Sequence, residues 1–217
     1  MKRTLLSLAC LLLSATASTA QAAPIIYTTE ASWLAALGAA TVNTENFGSS
    51  PLGDLAAGTT DIGLFNITIN AADPLTMIQD SGVVNGTREY LGRLCDLSGF
   101  CGLTAMSFGF DSPLIGFAGD WVSTTTGDRL TMLVNGATIK FSDYLTGVGT
   151  GFLGVVDSAG FSQITFGLEG VVTASAEVFQ LDNARLAAGT ANIPEPATLA
   201  LLGLGLAGLG AMRRRKA

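Results

Sequence analysis

Residues 128–142 read DRLTMLVNGATIKFS, two β-rich runs on either side of Asn135-Gly136. Asn-Gly is the dipeptide best suited to a two-residue type I′ turn, in which both central residues need positive φ and the twist matches a pair of antiparallel strands. The stretch predicts a hairpin, and its period of two continues outward along the chain. In IGLFNITIN (62–70), Ile67 and Ile69 fall on one face and Asn66, Thr68 and Asn70 on the other. TAMSFGF (104–110) alternates Met106, Phe108 and Phe110 against small residues. LIGFAGDW (114–121) follows a break at Pro113, and further strands fit FLGVV (152–156), FSQITFGL (161–168) and EVFQLDNARL (177–186). Seven or more short strands separated by Gly, Asp, Asn and Ser clusters predict an all-β domain, an antiparallel β-sandwich. The 27 glycines fit tight turns rather than disorder, because a chain that is 48% hydrophobic has enough apolar surface to fold.

One segment departs from this period. TTEASWLAALGAA (28–40) predicts a short helix, with Thr29 as its cap and Glu30 against the positive end of the helix dipole. Trp33, Leu34 and Leu37 share a face, Gly38 ends the helix, and Trp33 is expected to pin it to the sheet.

The two ends have a different character. Residues 1–22 place Lys2 and Arg3 before the apolar run Leu5 to Leu13 and close with Ala20-Gln21-Ala22, the order of a secretory signal peptide cleaved after Ala22. Cys10 leaves with it. Residues 190–217 form a linker followed by Pro194-Glu195-Pro196, an apolar run from Ala197 to Met212, and Arg213, Arg214, Arg215 and Lys216. At 1.5 Å per residue the apolar run makes a helix of about 24 Å, a little short of a ~30 Å hydrocarbon core. As a transmembrane helix it keeps its basic end cytoplasmic and the domain outside. Gly203-x-Gly205-x-x-Gly208 in this run has the spacing of a dinucleotide fingerprint, but no strand–helix unit surrounds it.

The span between the ends, residues 23–189, is long enough for one domain. Six of the 11 Lys and Arg but only one of the 17 acids lie in the two ends, which leaves the middle at −11. So acidic a domain repels nucleic acid, whose binding depends on cations meeting phosphate. The chain has no His, which excludes Ser-His-Asp and Cys-His mechanisms. A carboxylate-pair glycan hydrolase stays open as the alternative to a non-catalytic module, since it needs only two of the sixteen acids. Most of those acids stand beside Gly, Asn, Ser or Pro, where they serve as turn residues. Trp121, Tyr90 and Tyr144 are candidates for a sugar-stacking platform, and core packing is the competing use of Trp121.

The tail, with its motif, apolar span and basic cluster in that order, resembles the PEP-CTERM sorting signal of exported Gram-negative bacterial proteins. The resemblance implies passage through the export machinery and signal peptidase, then a transient stay in the inner membrane. Exosortase, a membrane-embedded peptidase, would then remove the tail. It also implies a cell-surface or matrix destination linked to extracellular polysaccharide and biofilm. EASWLAALGAATVNTENF (30–47), GDWVSTTTGDRLTMLVNG (119–136) and the closing LDNARL (181–186) are similar to β-rich, jelly-roll-like carbohydrate-binding modules. That likeness places Glu45 and Asp182 where some such modules hold a structural calcium, the one cofactor it implies; both also read as turn and edge residues with no metal.

Cys95 and Cys101, in CDLSGFC, have no His or further Cys of the domain to share a metal with, and export favours a disulfide between them. Mass spectrometry of the non-reduced exported protein is expected to find them linked, and reduction to cost about 2 kcal/mol of stability for so small a loop. Labelling of both as free thiols in the native protein would refute the pairing.

Overall fold

The computed structural model describes residues 23–73, 75–81, 84, 88–95, 104–123, 129–145, 150–170 and 176–189. The chain order is β1 (Ile25–Tyr27), α1 (Glu30–Leu37), β2 (Thr41–Glu45), β3 (Gly53–Asp54), β4 (Gly58–Asp61), β5 (Asn66–Ile69), β6 (Met77–Gln79) and β7 (Glu89–Cys95). It continues with β8 (Met106–Ser123), β9 (Leu130–Val134), β10 (Ala137–Lys140), β11 (Gly151–Leu168) and β12 (Ala176–Ala188). The ladders between them are antiparallel.

β8 and β11, 18 residues each, pair with one another and take different neighbours at their two ends. The Met106 end of β8 adds β5, and the Leu168 end of β11 adds β9. At the other end β8 adds β12 and β11 adds β1. The two halves close over one core. Phe108 of the first half meets Tyr90 of β7 with ring centroids 5.6 Å apart, and Phe166 stacks on Phe179 of β12 at 5.5 Å. Alternation supplies this core: Ile67, Ile69, Met106, Phe108 and Ile164 are buried between exposed or half-buried neighbours.

The fold of the sheet falls where the ladder skips. Pairing runs through Gly116↔Val156, resumes at Leu114↔Phe161 and then at Gly109↔Gln163. Pro113, expected to end a strand, lies in this gap, and β8 passes through it. The reason is local: proline lacks the N–H that a regular ladder would need, and the irregularity asks for none. FLGVV and FSQITFGL, expected as separate strands, are likewise the two ends of β11. Between them Gly160 takes φ 75°. Buried Asp157 holds the turn, its Oδ1 accepting from Ala159 N at 2.9 Å and its Oδ2 from Asn135 Nδ2 at 2.8 Å. Asn135 Nδ2 also donates to Gly160 O at 2.9 Å. Asn135 and Gly136 have φ 47° and 81°, the double positive φ of the expected hairpin turn, and Val134 pairs Ala137. The turn residue thus also fastens the bend in β11.

α1 covers the outer side of the β8–β11–β12 half. Thr29 Oγ1 accepts from Ser32 N at 3.3 Å, and Gly38 ends the helix at φ 62°. Trp33 is fully buried, donates from Nε1 to Val155 O at 3.1 Å, and packs with Leu37, Ile115, Ala118 and Ala187. Leu34, expected on the same face, is 42% exposed, because the contact stripe is the i, i+4 pair Trp33 and Leu37. The sheet makes room with glycine: a Cβ on Gly154 would stand 2.6 Å from Trp33 Cδ1, and one on Gly116 2.8 Å from Leu37 Cδ2.

Gly154→Ala is therefore expected to lift the helix off the sheet and cost about 1–3 kcal/mol by overpacking. Trp33→Ala should cost about 3–5 kcal/mol by leaving a cavity. Urea denaturation monitored by circular dichroism measures both, and a Gly154→Ala protein as stable as the parent would contradict this packing.

Candidate functional site

The structure separates the three aromatic candidates. Trp121 and Tyr90 are 2% and 0% exposed, so neither ring can stack on a sugar at the surface. Trp121 donates from Nε1 to Leu153 O at 3.2 Å and meets Phe141 edge-on at 4.9 Å. Tyr90 donates to Met106 Sδ at 3.0 Å. Both lie on inward positions of paired strands, Trp121 opposite Leu181 and Tyr90 opposite Leu181 from the other side. Tyr144, just after the 3-10 turn Phe141–Asp143, is 40% exposed and keeps the stacking role open to it.

Glu45 and Asp182 lie on neighbouring strands, Glu45 opposite Ala184 and Asp182 opposite Asp120. Each carboxylate has a local use. Glu45 Oε1 accepts at 2.8 Å from the N–H of Phe47, a fully buried residue at φ 57°. Asp182 Oδ1 accepts from Asn183 N at 2.6 Å, where Asn183 at φ 47° makes the bulge between Asp182 and Arg185. Asparagine tolerates this left-handed position better than most residues. Among the described residues no three His, Cys, Asp or Glu side chains form a group able to hold a metal ion. Cys95 ends β7 buried, and Cys101 lies outside the described residues.

The domain's five cations are all occupied. Arg88 pairs Asp80 at 3.2 Å, Arg93 pairs Asp73 at 3.5 Å and Lys140 pairs Glu169 at 2.8 Å. Arg129 donates to the Glu169 and Gly170 carbonyls. Arg185 joins Glu30 of α1 at 2.7 Å to Asp120 of β8 at 3.3 Å and lies over the Phe152 ring. A polyanion would have to displace these partners.

Among the described residues, two depressions bear on the question. One, of about 170 Å³, lies at the bend among Asn43, Phe110, Asp111 and Leu186; the other, of about 280 Å³, lies on β9–β11 among Thr131, Leu133, Thr165 and Glu169. Each is lined by a single carboxylate, Asp111 or Glu169.

The second depression belongs to a feature that reading single strands missed. Registers align Thr138↔Leu133, Leu133↔Thr165, Thr165↔Ser107, Ser107↔Thr68 and Thr68↔Thr59. Directly opposed residues share a face. Five hydroxyls and one leucine therefore form a single row across β10, β9, β11, β8, β5 and β4, each exposed or half-buried. The alternating Thr and Ser are visible in each strand, but their alignment is a property of the ladder.

Burial pushes the Tyr90 phenol well above its ordinary value of 10.0, because the charged form would be desolvated. The unfolded chain releases this proton above pH 10.0 while the folded one keeps it. The contribution to stability is thus complete below that pH and is lost as pH rises toward the raised folded value. Tyr90→Phe is expected to move the alkaline unfolding midpoint upward, measured by tyrosinate absorbance alongside circular dichroism. An unchanged midpoint in a stable variant would refute the assignment.

Among the described residues no helix is long and apolar enough to cross a membrane. The expected signal peptide and apolar tail, with Pro194, Glu195, Pro196 and Arg213 to Lys216, lie outside those residues. No curated protein is significantly similar to the chain. Residues 192–216 match the PEP-CTERM protein-sorting motif, so the chain ends in the signal by which exosortase sorts an exported protein to the cell surface.

Proposed function

We propose that the chain is a non-catalytic module which this signal delivers to the surface or biofilm matrix of a Gram-negative bacterium, where the β-sandwich binds or helps build extracellular polysaccharide. The observation that carries the reading is the sorting motif at residues 192–216. In this scheme signal peptidase removes residues 1–22, and the apolar run 197–212 holds the protein in the inner membrane. Arg213 to Lys216 stay cytoplasmic until exosortase cuts the tail. Pairing of Cys95 with Cys101 suits the oxidising compartment that follows. The single carboxylate lining each of the two depressions described favours binding over carboxylate-pair hydrolysis.

Replacing Pro194-Glu195-Pro196 by three alanines is expected to accumulate uncleaved protein in the membrane fraction, read from the C-terminal peptide by mass spectrometry. Normal processing of that variant would overturn the sorting step. A glycan-array screen of the exported form is expected to detect polysaccharide binding without release of reducing ends. Release of reducing ends would establish the carboxylate-pair hydrolase instead.

A further inference from the structure

We propose that the hydroxyl row on the open face is the polysaccharide contact, and that its ligand is a neutral, extended glycan laid across the strands. This assignment rests on the glycan-binding reading above and specifies the surface and the ligand class.

Adjacent strands lie about 4.8 Å apart, so the row Thr138, Leu133, Thr165, Ser107, Thr68 and Thr59 offers one side chain per strand at a nearly constant step. An extended polysaccharide also repeats its hydroxyls at the length of one sugar, and a regular ladder suits a periodic ligand. The residues between these positions, Ile139, Met132, Ile164, Phe108 and Ile67, are buried, which fixes the row on the outside. Each Thr or Ser hydroxyl has one donor and two acceptor sites, as sugar hydroxyls do. Their internal bonds, Thr59 to Thr68 at 2.9 Å and Gln163 Nε2 to Ser107 at 3.2 Å, leave capacity on every member. Leu133, 41% exposed, adds an apolar spot suited to the C–H face of a sugar ring. Gly167, opposite Thr131, leaves the depression of about 280 Å³ beside it.

Charge selects the class. The row itself contains no charged residue, and the nearest cation, Lys140, is held by Glu169. The domain's other cations are bound to its own acids and carbonyls, and its net charge of −11 repels an acidic polymer. The opposite outer face carries α1, so this is the face a long ligand can cross.

The test is calorimetric titration of the exported protein with hydroxyethylcellulose as the neutral glycan and alginate as the acidic one. The neutral polymer is expected to bind, and Thr68→Val with Thr165→Val to weaken it about tenfold by removing two hydroxyls. The melting temperature should hold, since valine suits an exposed strand position. Thr41→Val on β2, away from the row, should leave binding unchanged. If the double variant fails to fold, Thr59→Val at the edge strand is expected to weaken binding alone. Binding by the parent that survives every row substitution would overturn the row and leave the glycan reading standing. Preference for alginate would overturn the neutral class, and binding of neither polymer would overturn both the row and the reading beneath it. A concentration-dependent dimer broken by the same substitutions would assign the face to a second copy of this chain.

Discussion

The pairing of β8 with β11 is the constraint on which the rest of the structure depends. Each strand is long enough to serve both halves of the domain, so the two halves share a backbone ladder as well as a core. A long twisted sheet closes on itself only where its register can slip, and here the slip lies around Pro113 and residues 157–160. Asp157 is buried at that slip and satisfied by Ala159 N and the Asn135 amide. A buried carboxylate stripped of those donors would be costly, so the bend and the hairpin turn stabilise one another.

That bend gives the two outer faces different fates. Over one half, Gly116 and Gly154 remove the side chains that would keep a helix away, and Trp33 fills the space. Arg185 then ties Glu30 at the start of α1 to Asp120 on β8, below the helix. Over the other half Gly109 and Gly167 also lack side chains, but no described α-helix lies on them. Thr, Ser and Leu stand out from six strands, while Ile139, Met132, Ile164, Phe108 and Ile67 beside them are turned into the aromatic core. Among the described residues the domain is thus polarised, closed on one side by α1 and open on the other.

Electrostatics reinforces the division. With sixteen acids and five cations in the middle of the chain, every cation is taken by internal partners, and among the described acids Glu45, Asp73, Glu89, Asp157, Glu177 and Asp182 are buried. The net charge of −11 disfavours acidic partners. Asn183 and Phe47, both in left-handed conformations, are held by Asp120 and Glu45 respectively. The two acids singled out on sequence grounds for calcium therefore stand beside shaped backbone, one at the bulge and one at the turn after β2.

The sequence by itself determined the local features. Asn135-Gly136 forced a turn because few other residues accept two successive positive φ angles. Thr29, Trp33 and Gly38 bounded and anchored a helix, and the alternation of Ile67, Ile69, Met106 and Phe108 set which faces are buried. The tail was legible without any fold, because a sorting signal is read as a linear order of motif, apolar run and charge. Tertiary structure decided what depends on register and long-range contact. Pro113 looked like a strand end, and only the slipped ladder shows why β8 passes through it. Trp121 and Tyr90 were candidates for a stacking platform, with core packing as the competing use of Trp121, and strand pairing turns both rings inward. The hydroxyl row exists because six strands drawn from residues 58–168 align their outward positions, and alignment between strands is set by packing rather than by any one strand's pattern.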